Sequence, residues 1–321
     1  MKPKVSVIIP IYGVEKYIEQ CARSLFEQTL NDIEFIFVDD CSPDHSMSIL
    51  SQIIEQYHPR IIERNWSVRI EKMTKNSGLA AVRQYGIKLA EGDYIIQCDS
   101  DDWPSPNMYK VLLDKALIGD YDLVFCDYYI NGIGSETVCR RDIVNYSNKN
   151  DIIRYTLTTS LLNPVWGVLA KRELFSRIVF PSGSQSEDKT FVIQLAILSS
   201  RYAHVASPLY HYRLTPNSIS RSTDLKSIIK RYKELENNRV IIRDFSDRYG
   251  YLSLYPKEFQ SYFFSTKMIL KSYLQDEQCR KLWMSSFVES NKGILWNPYI
   301  TIREKISFFS SWIKIMCKFP K

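Results

Sequence analysis

A short apolar run rich in β-branched residues, followed by a stretch of helical spacing, recurs four times within the first 118 residues. The runs are Val5-Ser6-Val7-Ile8-Ile9-Pro10, Phe35-Ile36-Phe37-Val38, Val68 to Met73 and Tyr94-Ile95-Ile96. The helical stretches are about Val14 to Glu27, Ser46 to Ile54, Leu79 to Leu89 and Met108 to Ile118, with apolar residues near every third or fourth position. Leu123-Val124-Phe125 adds another strand. Alternation of this kind predicts an α/β fold of parallel βαβ units, whose strands are apolar throughout because helices cover both faces of the sheet. In such sheets ligands bind in the crevice outside the carboxyl ends of the strands, where loops and helix N-termini converge. The residues that end each strand are therefore the first candidates for chemistry.

Past residue 222 the strand signals stop. Helix-length patterns take over, for example Leu225 to Phe245 and Glu258 to Leu274, rich in Lys, Arg, Tyr and Phe. We read two regions, 1–221 and a separate helical 222–321, divided by a shift of composition rather than by a linker. Charge divides the same way. Residues 222–321 hold 18 Lys and Arg against 10 Asp and Glu, a net +8, whereas residues 1–221 hold 24 against 26. A basic surface of this size suits either ordinary solvation or an anionic partner such as lipid headgroups. No nucleic-acid motif interleaves with the basic residues, and no nucleic-acid partner is expected.

Seven cysteines lie singly, with no C-x-x-C pair, a pattern that fits reduced thiols rather than a disulfide framework or structural zinc. The apolar run Val5 to Pro10 is too short for a signal-peptide core, and Ile306 to Ile313 is far shorter than the roughly 20 residues that cross a bilayer. The expectation is a cytoplasmic protein that spans no membrane.

Two acidic clusters fall at strand ends: Asp39-Asp40-Cys41-Ser42-Pro43-Asp44 and Asp99-Ser100-Asp101-Asp102. Residues two apart on extended backbone point the same way, so Asp99 and Asp101 can address one ligand. Hard oxygen ligands suit Mg²⁺ or Mn²⁺ bridging to substrate phosphates. So many acids at one strand end repel each other unless a cation or donor groups compensate. Asp44 reads instead as the N-cap of the helix that begins at Ser46.

In this order of motifs the chain resembles the inverting family-2 glycosyltransferases of GT-A fold, particularly those that build bacterial surface polysaccharides. The resemblance runs through Val5 to Tyr12, Val38-Asp39-Asp40, Asn76-Ser77-Gly78 with Ala81 and Arg83, and Asp99 to Trp103. It continues through Trp166, Lys171 to Phe175, Phe180-Pro181, Glu187-Asp188, and Tyr210 to Arg213 with Asn217-Ser218-Ile219, covering roughly residues 3–221. It implies a nucleotide-sugar donor, by preference UDP-linked, held by Pro10, Tyr12, Asp40, Asn76, Gly78, Arg83, Asp99, Ser100 and Arg213. Tyr12 would stack on the base, Asp40 would bond its ring N–H and Asp99 would contact the ribose. Asp101 with Asp99 would hold Mn²⁺ or Mg²⁺, with His211 either a further ligand or a packed strand residue. Arg83 and Arg213 would lie near the phosphates or brace the acidic loop.

The same resemblance makes Glu187-Asp188 the acidic pair that supplies the general base, Asp188 first. These two also suit the first turn of a helix, where acidic residues are favoured. Two positions depart from the family: Gly13 replaces the usual Asn after the tyrosine, and Gly167-Val168 replaces the usual Asn-Lys after the tryptophan. A glycan or lipid-linked glycan is the implied acceptor. Near the C-terminus, Ile302 to Lys318 reads as a basic amphipathic helix, which either lies on an anionic membrane or packs on the catalytic domain. A sugar-phosphate nucleotidyltransferase would need a glycine-rich loop after the first strand, and Pro10 to Glu15 has one glycine. A binding module without turnover is the other alternative.

Overall fold

The computed structural model describes residues 2–183, 185–214 and 224–318. The strands are β1 (Val5–Ile11), β2 (Ile33–Asp39), β3 (Ser67–Lys72), β4 (Tyr94–Gln97), β5 (Trp103–Pro104), β6 (Leu123–Gly132), β7 (Ser135–Cys139), β8 (Val168–Lys171) and β9 (Tyr202–Arg213). They form one sheet in the order β3-β2-β1-β4-β8-β6-β9-β5, with β7 beside β6. The expected α/β sheet is present. The β3-β2-β1-β4 half is wholly parallel, while β8 runs antiparallel to both β4 and β6, so the sheet as a whole is mixed.

Every residue of β1 and of β2 is buried, as an apolar run sandwiched between helices requires. The helices that cover this half are α1 (Ile18–Phe26), α2 (Ser46–Glu63), α3 (Leu79–Leu89) and α4 (Met108–Ile118). Gly86 lets α3 lie close on β1, because a Cβ there would come 2.5 Å from Ile8 Cγ2. Register then aligns the strand ends. Ile11 pairs with Asp39 and Asp39 with Lys72, so Tyr12, Asp40 and the loop after β3 emerge along one edge.

The remaining helices are α5 (Lys149–Thr158), α6 (Glu187–Leu198), α7 (Leu225–Arg248), α8 (Tyr251–Leu254), α9 (Pro256–Ile269), α10 (Glu277–Ser285) and α11 (Ile302–Lys318). The expected boundary at 221/222, and Asn217 to Ile219, lie outside the described residues. The separation expected there is not a separation of cores. Ile153 and Leu157 of α5 and Ile193 and Ile197 of α6 are buried in one cluster with Ile242 and Phe245 of α7 and Tyr262 and Phe263 of α9. Apolar faces of α5 and α6 that the sheet leaves uncovered are thus covered by the C-terminal helices.

Candidate functional site

Acidic residues from a strand end and from a helix start meet on one guanidinium. Arg83, in the first turns of α3, is 1% exposed. Its Nη2 donates to Asp99 Oδ1 at 2.6 Å and its Nη1 to Glu187 Oε1 at 3.2 Å, with Asp188 Oδ1 also bonded to Nη1. Asp99 follows β4, and Glu187 and Asp188 open α6, so Arg83 joins a strand end to a helix start across more than 80 residues of chain. Both of its Nη atoms brace carboxylates, while its buried Nε has no partner among the described residues. Burial of this cation is offset by the three carboxylates that pair with it, which outnumber it when all are ionised.

Burial, and then the charge of Asp188, push the Glu187 carboxyl up to about 7, and burial raises Asp188 as well, against the pull of Arg83. A carboxylate held near neutrality is suited to accepting a proton. Asp101, half-buried, is raised to about 6 by burial and then by the charge of Asp99. Asp102 is buried and pushed well above the usual range by burial and by Asp101; its Oδ1 accepts from the Arg213 N–H at 2.7 Å, while its buried Oδ2 has no partner. The buried Asp102 Oδ2 thus lacks a donor, and hard carboxylate oxygens of this kind suit a divalent cation. Among the described residues no three His, Cys, Asp or Glu side chains are grouped to hold a metal by themselves, so such a cation would draw remaining ligands from substrate phosphate and water.

Arg213 closes the other side of this loop. Its Nε donates to the Asp101 carbonyl at 2.8 Å, its Nη2 to Gln20, and its guanidinium lies 4.6 Å from the Trp103 ring. A cleft of about 400 Å³, lined by Tyr17, Trp103, Asn131, Arg213 and Leu214, opens beside it. His211 is stacked between Trp103, at 5.0 Å, and Tyr129, at 4.6 Å, with Nε2 3.2 Å from Ser105 Oγ. Burial lowers its pKa, which favours a neutral ring packed within the sheet.

At the edge formed by the ends of β1 to β3, Tyr12 is 51% exposed directly after β1, two residues past buried Pro10. Asp40 accepts from the Ser77 N–H at 2.7 Å and the Gly78 N–H at 2.9 Å, so it fixes the loop that leads into α3. Gly78, the N-cap of α3, has φ 82°, a conformation that favours glycine. The N-terminus of α3 thus faces the same edge, with Asn76 exposed before it. Helix N-termini attract anions through their free N–H groups. Ser100 is buried within the acidic turn.

Asp44 does more than cap a helix, and the cap position itself is His45. Its carboxylate accepts from Ser46 N–H and Oγ, Ser42 Oγ and the Glu15 N–H, which ties the loop after β1 to the loop after β2. Burial opposes its ionisation, yet these donors outweigh it and bring the pKa down to about 2.

The matching family model is "Glycosyl transferase family 2", over residues 6–179. The chain belongs to glycosyl transferase family 2. EpsJ of Bacillus subtilis, described as an uncharacterized glycosyltransferase, is 33% identical over 228 residues, which cover 68% of this chain and 64% of EpsJ. The chain therefore spans less than two thirds of that relative. A cholesterol galactosyltransferase of Borreliella burgdorferi is 28% identical over 84% of this chain and 76% of its own. In fold, the chain is similar to S. aureus TarS 1–349 solved with UDP-GlcNAc, at TM-score 0.57 and 20% identity over 83% of this chain and 81% of that one. It is also similar to a mannosyltransferase of Pyrobaculum calidifontis solved with GDP-Man and Mn²⁺, at TM-score 0.53 and 16% identity over 99% and 88%.

Several further residues support the site: Tyr210 and Trp166, within the segments that carry the resemblance, and Arg141, Asn238 and Lys189, outside those motifs. Tyr210 Oη accepts from the Asp99 N–H at 3.0 Å, and its ring stacks on Trp166 at 4.2 Å. Behind Trp166, the buried Arg141 donates to the Leu161 and Gly167 carbonyls. At Gly167, one of the departures, the Arg141 guanidinium occupies the space of a side chain, since a Cβ there would come 2.7 Å from Nη1. Asn238 of α7, fully buried, accepts from the Ser182 N–H and donates to the Ser182 and Gln185 carbonyls, at 2.8 to 2.9 Å. It fixes the segment that leads into Glu187. Lys189, one residue past Asp188, donates to the Leu157 and Thr159 carbonyls, and both it and Arg239 lie over the Tyr262 ring, at 4.5 and 4.0 Å.

Proposed function

We propose that this chain transfers a sugar from a nucleotide-sugar donor, by preference UDP-linked, to a hydroxyl of a glycan or lipid-linked glycan, with inversion at the anomeric carbon. The observation that carries the reading is Arg83, which holds a donor-side carboxylate and a helix-borne acidic pair in one cluster. The donor complexes of TarS and of the mannosyltransferase, and the acceptor named for the cholesterol galactosyltransferase, support the same class of chemistry.

In this reading Tyr12 stacks on the base, Asp40 meets its ring N–H, and Asp99 takes the ribose, within a cradle completed by Pro10, Asn76, Gly78 and Ser100. The N-terminus of α3 faces the diphosphate. Asp188, seconded by Glu187, accepts the proton of the acceptor hydroxyl as its oxygen attacks the anomeric carbon. The bond from that carbon to the diphosphate breaks, and its electron pair leaves with the nucleoside diphosphate. One displacement inverts the carbon. Mn²⁺ or Mg²⁺, held by Asp101 with Asp99, would supply Lewis-acid neutralisation of the leaving charge. His211 we assign to packing beside this set. A cytoplasmic protein, peripheral at the inner face of the cytoplasmic membrane, would meet an acceptor of this class, and that is the location we propose; no helix among the described residues is long and apolar enough to cross a bilayer.

Release of nucleoside diphosphate, measured across UDP-, GDP- and dTDP-sugars with Mn²⁺, Mg²⁺ or EDTA, tests the proposal. Metal-dependent release from one donor, lost in Asp101→Ala and in Asp188→Asn, is expected. Donor binding without release, even with lipid-linked acceptor extracts added, would instead identify a binding module and end the assignment of Asp188.

A further inference from the structure

The last helix has two apolar faces. On the inner one, Phe308 and Ile315 are buried in a cluster with Phe264, Trp283 and Ile300, so this face packs on the other C-terminal helices rather than on residues 1–221. On the outer one, Ile302, Ile306, Phe309, Ile313 and Met316 are 37 to 75% exposed. Their alternating steps of four and three keep them in a single stripe along the helix.

The flanks of that stripe are basic. At about 100° per residue, the exposed Arg303 and Lys314 stand to one side of it and Lys305 to the other. Glu304, the acidic residue of this helix, is turned back to its start, where its carboxylate accepts from Thr301 N–H and Oγ at 2.8 and 2.7 Å. Lys305 Nζ donates to the Leu295 carbonyl at 3.0 Å, which brings the turn bearing exposed Leu295 and Trp296, the latter 83% exposed, alongside the helix. Trp296 also lines a groove of about 550 Å³ with Leu252, Pro256, Phe259 and Phe263, edged by Lys257 and Arg243.

We propose that this face docks on a membrane surface rich in anionic lipid. The outer stripe of α11 and Trp296 enter the headgroup layer, Arg303 and Lys314 meet lipid phosphates, and the groove beside Trp296 admits an acyl chain. Apolar stripes bordered by cations bind in the plane of such interfaces. A second copy of the chain fits less well, because a two-fold contact sets each basic flank against its own copy. The inference shares the peripheral location proposed above but is read by lipid binding alone, so its failure and a failure of sugar transfer are separate results.

Co-sedimentation of the full chain with phosphatidylcholine vesicles, with and without phosphatidylglycerol, tests it. The wild type should partition at least tenfold more strongly onto the anionic vesicles. Arg303→Gln with Lys314→Gln should lower that partition by about 30-fold, the equivalent of about 1 kcal/mol per cation. Ile306→Gln with Ile313→Gln, both at exposed positions, should abolish most of it while leaving vesicle-free donor release unchanged. Equal partition onto neutral and anionic vesicles, or no effect of either double variant, would overturn the proposal. So would a doubled mass in light scattering that Ile306→Gln with Ile313→Gln returns to monomer, since a second copy would then cover the stripe.

Discussion

Replacing Lys189 with methionine should alter how stability depends on pH, by an amount the structure sets. Lys189 is 8% exposed, and burial, then the like charge of Arg239, pull its ammonium from 10.5 down to about 7. In the unfolded chain it titrates near its ordinary value. Between the two values the unfolded chain keeps the proton while the native protein releases it, so native stability rises with pH across that window. Below about 7 both states are protonated and the full cost of the buried charge is present; above about 10.5 neither is, and the cost is gone. At about 1.4 kcal/mol per unit, going from pH 7 to pH 9 should add about 2 kcal/mol through this residue. Lys189→Met keeps the apolar stem and removes the titration. It also leaves the Leu157 and Thr159 carbonyls without this donor, at about 1–3 kcal/mol, a loss that does not vary with pH. Urea unfolding followed by circular dichroism at pH 7, 8 and 9 measures both proteins. The wild type should gain about 2 kcal/mol more than the variant over that range; parallel pH dependences would refute the reasoning.

Asn238→Ala should lower the turnover number by about 10- to 100-fold, the scale of a small misplacement of catalytic groups, with donor affinity within about twofold. If donor affinity fell in proportion to turnover, Asn238 would be a structural support only. The rate of donor release should rise with pH through the region where the Glu187-Asp188 pair loses its proton, Glu187 titrating at about 7. In Glu187→Gln the neighbouring negative charge is gone, Asp188 ionises more readily, and this limb of the pH profile should move to lower pH; an unmoved or raised limb would count against Asp188 as the base.

The sequence made the first half of the fold readable wherever burial writes a pattern. α3, α4 and α11 begin and end where spacing places them, and β1, β2 and β4 sit on the apolar runs. α1 starts later than expected, at Ile18, because Gly13 takes φ 67° and the Asp44 bonds hold the residues after β1 in a loop. α2 continues past Ile54 to Glu63 through Pro59, along a stretch where Ile61 is the buried residue and apolar periodicity fades. β7 is largely exposed, so it leaves no alternating signature. At the site, the acidic clusters were visible as composition at strand ends. The contacts that assemble the site around Glu187 and Asp188 were not: Arg83 to Asp188, Asn238 to Gln185 and Lys189 to Leu157 are made by packing between distant segments. The basic composition of the last third was legible, but only burial shows that α11 spends one apolar face on the core and leaves the other exposed.

The fit between Gly167 and Arg141 couples two positions that lie 26 residues apart in the chain. A side chain at 167 meets the guanidinium before it reaches anything else, so any larger residue there requires Arg141 to shift. Arg141 also holds the Leu161 carbonyl and lies 5.1 Å from the Tyr128 ring, so that shift reaches the wall behind Trp166. A substitution at the glycine is thus felt first in the packing behind the tryptophan and only then in the site.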